Sequence, residues 1–554
     1  MASGTITFEH PSVGQIHGVK SEKHPQVEQY LGIQYAKLAN QFARGTPVET
    51  YSGPIQATKT GPLPVADPKN CDVEHELLQH ALPHPDYEFS DTECLTLNVS
   101  VPSQDARIKA ARPLPVVVFV HGGGFVTGSA NWPQWDLTRL VERSVENGSP
   151  VIAVGINYRV GPFGFLTSSA LRDAGFKANN GLDDQKLGLR WVQKYIGGFG
   201  GNPNRVTFLG SSMGAASGFF HLQSTEPLFN QLVALGGNPL LLQPIPQEVA
   251  EVAYSILTSI LGLDGLPPAE QVKALLEIPA TQIAAKLAAA PPIPIAAVLD
   301  GDVIRSKTTY ASLSNTDTLE SVFPGAEWCK TILLGDGQLD GNIMAFTALA
   351  NRTDNLAASL RSCLRAEFPD KPDNVKAVLD AYGIDESNTD ILPVIQFIND
   401  ISFAHPAKIT AQAWAKAGSR LGTKSFLSHF NLPNPWPGAW QGHATHTLDL
   451  VFLLGNYNEF LSEGQRATSE RMVKDLLALA YGEEPFPPFS AGQDGTARVY
   501  YAGKESDKDE SLLANESDKI ATGRRGILED TFAGQPEVLD TLLNVFGLFL
   551  QGPR

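Results

Sequence analysis

The segment whose residue types and spacing most directly suggest chemistry is Gly210-Ser211-Ser212-Met213-Gly214, a serine with a glycine two places to either side. Alone the pattern is weak, because glycine and serine recur at this spacing in unrelated loops. Its setting strengthens it: residues 206–209 (Val-Thr-Phe-Leu) read as a buried strand directly before it, and residues 215–222 as a helix directly after. A serine on such a turn projects its hydroxyl beyond the carboxyl end of a sheet, against a helix N-terminus that favours developing negative charge. Small neighbours are required, since the backbone is strained and adjoining chains run close. Ser212 is thus a candidate nucleophile.

A second segment supplies the complementary half of acyl-transfer chemistry. His121-Gly122-Gly123-Gly124-Phe125 follows the apolar run 116–120, and its three glycines leave backbone N–H groups uncovered by any Cβ. Amides exposed in this way can hold an oxyanion, each preorganised donor contributing roughly 10²- to 10³-fold in rate. The expected oxyanion hole is formed by the N–H groups of Gly123, Gly124 and Met213. This chemistry needs no metal or nucleotide, so no cofactor is expected.

The elements that must carry these groups read as apolar runs. Residues 116–120, 151–156, 206–209 and 332–334 read as fully buried parallel strands, each ended by glycine or a polar turn. Between two of them Leu187, Trp191 and Tyr195 recur at helical spacing, predicting a helix that stops at Gly197-Gly198. Strand, helix, strand implies a right-handed crossover, and the fold class is α/β. Residues 423–430 have mixed polarity and are expected nearer the sheet edge. Residues 246–292 are rich in alanine and leucine and broken by paired prolines, as expected of a helical, cap-like excursion off the sheet. No linker composition interrupts the chain, so residues 1–554 are read as one domain.

The bulk numbers bound what the chain can be. At 42% hydrophobic and 18% charged residues it can bury a substantial core, and a formal net charge of −17 disfavours nucleic acid or an anionic membrane as a partner. No apolar run is long enough to span a bilayer. The first ten residues lack the basic and apolar segments of a secretory signal, so a cytoplasmic location is expected, with secretion the alternative if a signal has been removed. The four cysteines (Cys71, Cys94, Cys329, Cys363) are too few for a disulfide scaffold and do not fall at zinc-ligand spacings.

With these segments in hand the chain resembles the type B carboxylesterase/lipase family of the α/β-hydrolase superfamily, over nearly its whole length. The resemblance rests on Asn157-Tyr158-Arg159-Val160-Gly161, on Asn180-Gly181-Leu182-Asp183-Asp184-Gln185 with Leu189-Arg190-Trp191-Val192, on Phe199-Gly200-Gly201-Asn202-Pro203, and on Cys94-Leu95-Thr96-Leu97-Asn98-Val99. It implies a large, mostly parallel central sheet flanked by helices, and ester hydrolysis. In that superfamily the order is nucleophile, acid, histidine. Asp340 stands where the family usually has a glutamate before glycine, with Asp336 as the alternative acid. His446, followed by Thr-Leu-Asp449 and an apolar run, matches the family's histidine block, with His443 as the alternative base.

The implied site is therefore Ser212, Asp340 and His446, with a small-molecule ester or lactone bearing an apolar moiety as substrate. Ser211 and Met213 depart from the family, which commonly has glutamate and alanine there. Loss of the carboxylate disfavours cationic substrates, and the long methionine side chain is expected to reshape the acyl site. Cys71 and Cys94 match the positions of the family's first disulfide. An acyltransferase or cyclase on the same fold is the alternative reading, and a non-catalytic binding protein a third.

Overall fold

A computed structural model describes residues 4–552 apart from 111, 316, 318, 386, 388, 389, 491, 493 and 502–510. The apolar runs pair into one large sheet. Its strands in chain order are β1 (Thr5–His10), β2 (Gly14–Lys20), β3 (Val27–Gln34), β4 (Thr96–Pro102), β5 (Leu114–Val120), β6 (Ile152–Ile156), β7 (Gly201–Ser211), β8 (Gln231–Leu235), β9 (Thr331–Gly337), β10 (Lys424–Phe430), β11 (Thr496–Tyr500) and β12 (Ser511–Asn515). The spatial order is β1-β2-β3-β4-β6-β5-β7-β8-β9-β10-β11-β12, and Ile55–Gln56 adds a thirteenth strand beside β2. Pairing is parallel from β6 through β11 and antiparallel towards both edges.

The central strands are apolar throughout because both their faces are covered. All seven residues of β5 are buried. Alternate side chains point to opposite sides of a strand, so Val116, Val118 and Val120 enter one core while Val117 and Phe119 enter the other. The outermost strand β1 alternates exposed and half-buried positions instead, as an edge strand with a solvated side does.

Strand β10 lies third from one edge, nearer it than the four apolar strands as expected, yet with β11 and β12 outside it all but its first residue are buried. Its polar residues are accommodated by bonding: Ser425 Oγ donates to Ala411 O at 2.7 Å, Ser428 Oγ to Leu334 O at 3.4 Å, and His429 is held by carboxylates described below. A mixed-polarity segment can be central when every polar group is paired.

The helices that matter for the site are α1 (Asn70–Leu78), α2 (Asn180–Tyr195) and α3 (Met213–His221). In α2 Leu187, Trp191 and Tyr195 are all buried, and a single 3-10 turn, Ile196–Phe199, ends it at the expected glycines. Residues 246–292 form α4 (Gln247–Ile260), α5 (Pro268–Glu277) and α6 (Ala280–Ala288), with Pro267 and Pro279 at helix starts. These three helices pack a separate small core in which Leu257, Leu275 and Ile283 meet Phe42, Phe163 and Leu166.

Cys71 and Cys94 are both free thiols, so the disulfide implied by resemblance is not formed. The reason is positional: Cys71, on α1, belongs to the core on one face of the sheet, whereas Cys94, just before β4, belongs to the core on the other. Among the described residues no helix is long and apolar enough to cross a membrane.

A buried ion pair ties the loop after β6 to α2. Arg159 Nε and Asp184 Oδ2 lie 2.8 Å apart with both side chains at most 1% exposed, and Arg159 Nη1 also donates to Ala43 O at 2.7 Å. Removing one partner leaves an uncompensated buried charge. Asp184→Ala is expected to cost about 3–5 kcal/mol in urea unfolding, and Arg159→Met/Asp184→Leu together much less than the sum of the single changes.

Candidate active site

Ser212 sits between β7 and α3 with φ 55° and ψ −129°, a left-handed conformation that side chains other than glycine rarely adopt. The strain is held from outside. Ser212 N–H donates to Leu235 O on β8 at 2.9 Å, and neighbouring backbone closes in where no Cβ intervenes. A Cβ on Gly214 would lie 2.2 Å from Val120 O, and one on Gly237 would lie 2.1 Å from Ser212 O. Gly122 is equally constrained, since a Cβ there would meet the Cβ of Ser212 at 2.7 Å. The glycines of the pentapeptide and the triple-glycine loop are thus contact requirements of one another.

The three expected residues converge. Ser212 Oγ donates to His446 Nε2 at 2.9 Å, and His446 Nδ1 donates to Asp340 Oδ1 at 2.8 Å. The second carboxylate oxygen, Oδ2, accepts from Gly337 N–H at 2.6 Å, so the side chain is gripped at both ends. Asp340 therefore reaches the imidazole despite being one methylene shorter than glutamate. Its loop is carried to the histidine loop by a bridge between Leu339 and Thr445, with Leu339 N–H donating to Ala444 O at 2.9 Å. Asn342 Oδ1 accepts from the backbone N–H of His446 at 2.9 Å, and the Phe403 ring meets the imidazole edge-on at 5.2 Å. Asn342 and Phe403 had no signal in the sequence, because their roles exist only once distant loops meet.

Gly123 and Gly124 have φ of 92° and 65°, and among the described residues none accepts a hydrogen bond from the N–H of Gly123, Gly124 or Met213. The loop is clamped from behind by Tyr158, whose hydroxyl donates to His121 O at 2.9 Å and whose ring stacks on His121 at 4.3 Å. Burial pushes the His121 imidazole down to about 4, so it is neutral and its Nδ1 donates to Gly122 O at 3.0 Å. Met213 itself is 2% exposed and its side chain packs within the main core.

The alternative residues are elsewhere. His443 is half-buried, with its ring 6.2 Å from that of Trp440. Asp336 belongs to a different buried cluster: Oδ1 lies 2.5 Å from His429 Nδ1 and Oδ2 accepts from Arg525 Nε at 2.5 Å, while His429 Nε2 meets Glu516 Oε1 at 2.7 Å and Lys408 sits 3.2 Å from Glu516. Burial works against a charged His429, but the Asp336 carboxylate and then Glu516 offset it and leave the pKa raised. A cavity of about 610 Å³ lies beside this cluster, lined by His405, Lys408, Glu516 and Glu529 and by no residue of the Ser212 site.

Comparison with known proteins follows the same lines. The sequence profile of the carboxylesterase family matches residues 5–506. Secreted lipase 5 of Gibberella zeae is 24% identical over 84% of this chain and 78% of its own length, and lipase 2 of Diutina rugosa is 32% identical over 42% of this chain and 45% of its own. The match to the second thus spans about half the relative. A solved PNB esterase superposes with a TM-score of 0.72 over 95% of this chain and 99% of that one, at 21% identity, which bears on the fold alone.

The neutral His121 makes a pH prediction. Its folded pKa, about 4, lies below the ordinary 6.5, so the unfolded chain binds the proton first and stability falls as pH drops from about 6.5 to 4. Replacing it by His121→Gln should remove up to about 1.4 kcal/mol per pH unit from that slope, read from urea unfolding across the window. An unchanged slope would show that His121 is not held neutral. With its serine, acid and histidine in contact and its profile match spanning most of the sequence, the chain belongs to the carboxylesterase family and is an α/β-hydrolase of the carboxylester-hydrolase class.

Proposed function

We propose that this enzyme hydrolyses carboxylic esters bearing an apolar moiety through an acyl-enzyme on Ser212. The observation that carries the reading is the unbroken pair of hydrogen bonds from Ser212 Oγ through His446 to Asp340. Ser212 Oγ attacks the carbonyl carbon as its proton passes to His446 Nε2, and Asp340 stabilises the imidazolium formed. Charge on the carbonyl oxygen is met by the N–H groups of Gly123, Gly124 and Met213. Collapse expels the alcohol, which takes the proton from His446, and water then repeats the sequence and releases the acid.

The apolar preference is supported by the surroundings. Phe403 covers one side of His446, Ser212 is only 9% exposed, and Ser211 stands where the family resemblance implies a carboxylate. We read the chain as one functional unit with residues 246–292 as a cap. In favour of this, α4 to α6 pack on Phe163 and Leu166, a few residues after Tyr158, which bonds the oxyanion loop.

A fluorophosphonate probe should label the wild type at Ser212, and Ser212→Ala should lower kcat on an aryl ester by on the order of 10⁴- to 10⁶-fold with the fold intact. Esterase turnover surviving in Ser212→Ala, with labelling elsewhere, would sink the assignment. Asp340→Asn should lower kcat by about 10⁴-fold, because the imidazole then holds the wrong tautomer, whereas Asp336→Asn should act on stability. For the substrate class, kcat/KM measured over esters of graded acyl length should rise with chain length, and a flat series or a preference for choline esters would contradict it.

A further inference from the structure

A second cluster of chemistry-bearing side chains lies on α1 and the loop that follows it, remote in role from the triad. Cys71 and His75 are one helical turn apart at i and i+4, hence on one face of α1, and His84 returns from the loop to join them. One donor atom from each lies within 4.8 Å of the other two. Cys71 and His75 are 1% and 3% exposed, whereas the His84 side chain is 21% exposed and Asp72 beside it 61%, so the cluster is buried on one side and open to solvent on the other.

The hydrogen bonds prepare these groups for a metal. His75 Nε2 lies 2.9 Å from Gln134 Oε1, a carbonyl that can only accept, so Nε2 carries the proton and Nδ1 presents a lone pair. That Nδ1 is buried and has no hydrogen-bond partner among the described residues. A metal-ligating imidazole characteristically donates its other N–H to a carbonyl in just this way. The His84 ring is stacked on Tyr87 with centroids 5.6 Å apart and planes 8° apart, and its Nε2 faces Asp72 Oδ1 at 3.0 Å.

We infer that Cys71, His75 and His84 form a zinc site, with the fourth position left to water on the solvent-open side. One thiolate, two imidazoles and a water suit a borderline-soft divalent ion in tetrahedral geometry. Bonds of about 2.0–2.3 Å put tetrahedral donors roughly 3.3–3.8 Å apart, so the cluster needs to contract by about an ångström, within side-chain rotation. The bookkeeping of protons is explicit. Zinc replaces the proton on Cys71 sulfur and, because His84 faces acceptors at both ring nitrogens (Pro85 O at 3.0 Å and Asp72), one proton on His84, and both pass to solvent.

The site would staple the region that supports the catalytic histidine. Gln79, at the end of α1, donates to Trp436 O at 3.1 Å and accepts from Trp440 N–H at 2.7 Å, and Asn434 donates to Leu78 O at 3.2 Å. These contacts seat the loop that leads to His446. The spacing of the cysteines alone conceals the site, because only one of its ligands is cysteine.

The full chain, dialysed against chelator, should bind one equivalent of Co²⁺ with a near-ultraviolet thiolate-to-cobalt charge-transfer band, lost on adding Zn²⁺, and should release close to two protons per Zn²⁺. Zn²⁺ should raise the Tm, and chelator should reverse the rise. Cys71→Ser should abolish the band, and His84→Ala should weaken Zn²⁺ binding roughly tenfold or more, both with ester turnover retained. Three results would overturn the assignment: Co²⁺ bound without a thiolate band, equal Zn²⁺ affinity in the wild type and the His84→Ala protein, or no binding at micromolar ion while circular dichroism reports a native fold.

Discussion

Everything in this site depends on how closely four stretches of backbone approach one another at Ser212. The left-handed serine, the end of β5, the triple-glycine loop and the turn after β8 meet with separations that leave no room for a single added methyl. Close packing of this kind transmits position without slack. It allows a hydroxyl, a triple-glycine loop and an imidazole from segments more than three hundred residues apart in the chain to occupy one small volume. The sheet, with both faces buried, is the frame against which those loops are set.

Electrostatics then distinguishes two carboxylate–imidazole pairs that look alike in composition. Asp340 and Asp336 are four residues apart, and each holds the Nδ1 of a buried histidine. What differs is the far nitrogen. His446 Nε2 faces a neutral hydroxyl, so the ring can act as a base, whereas His429 Nε2 faces the Glu516 carboxylate, so the ring is favoured as a cation and has no free lone pair with which to accept a proton. One arrangement ends on a serine hydroxyl and the other ties β9 and β10 to residues 516 and 525.

The parts legible from the sequence were those with local causes. The strand, turn and helix around Ser212 follow from an apolar run, small residues and a helical pattern, and the central strands from apolar runs without alternation. The antiparallel strands β1 to β3 were not visible in this way, since half-buried edges mix polar and apolar residues. Neither was the burial of β10, whose polar side chains are satisfied by partners far along the chain. The choice between Asp336 and Asp340 needed resemblance, because one ends and the other closely follows the same strand, and the pairing of Leu339 with Thr445 brings Asp340 to His446. The pairing of Cys71 with Cys94 was wrong for the opposite reason. Position in a family pattern carries no information about which face of the sheet each thiol occupies here.

The Asp336 cluster also has a meaning in time. Asp336 and His429 are buried among charges contributed by Glu516 and Arg525, and Arg525 is 189 residues downstream of its aspartate. At roughly 5–20 residues per second a ribosome needs about 10–40 s to make that interval. Throughout it the sheet end that carries the catalytic acid holds a carboxylate without its guanidinium, a state that disfavours burial. The charge cluster that fixes β9 and β10 to the rest of the sheet is therefore complete only once residue 525 has been made.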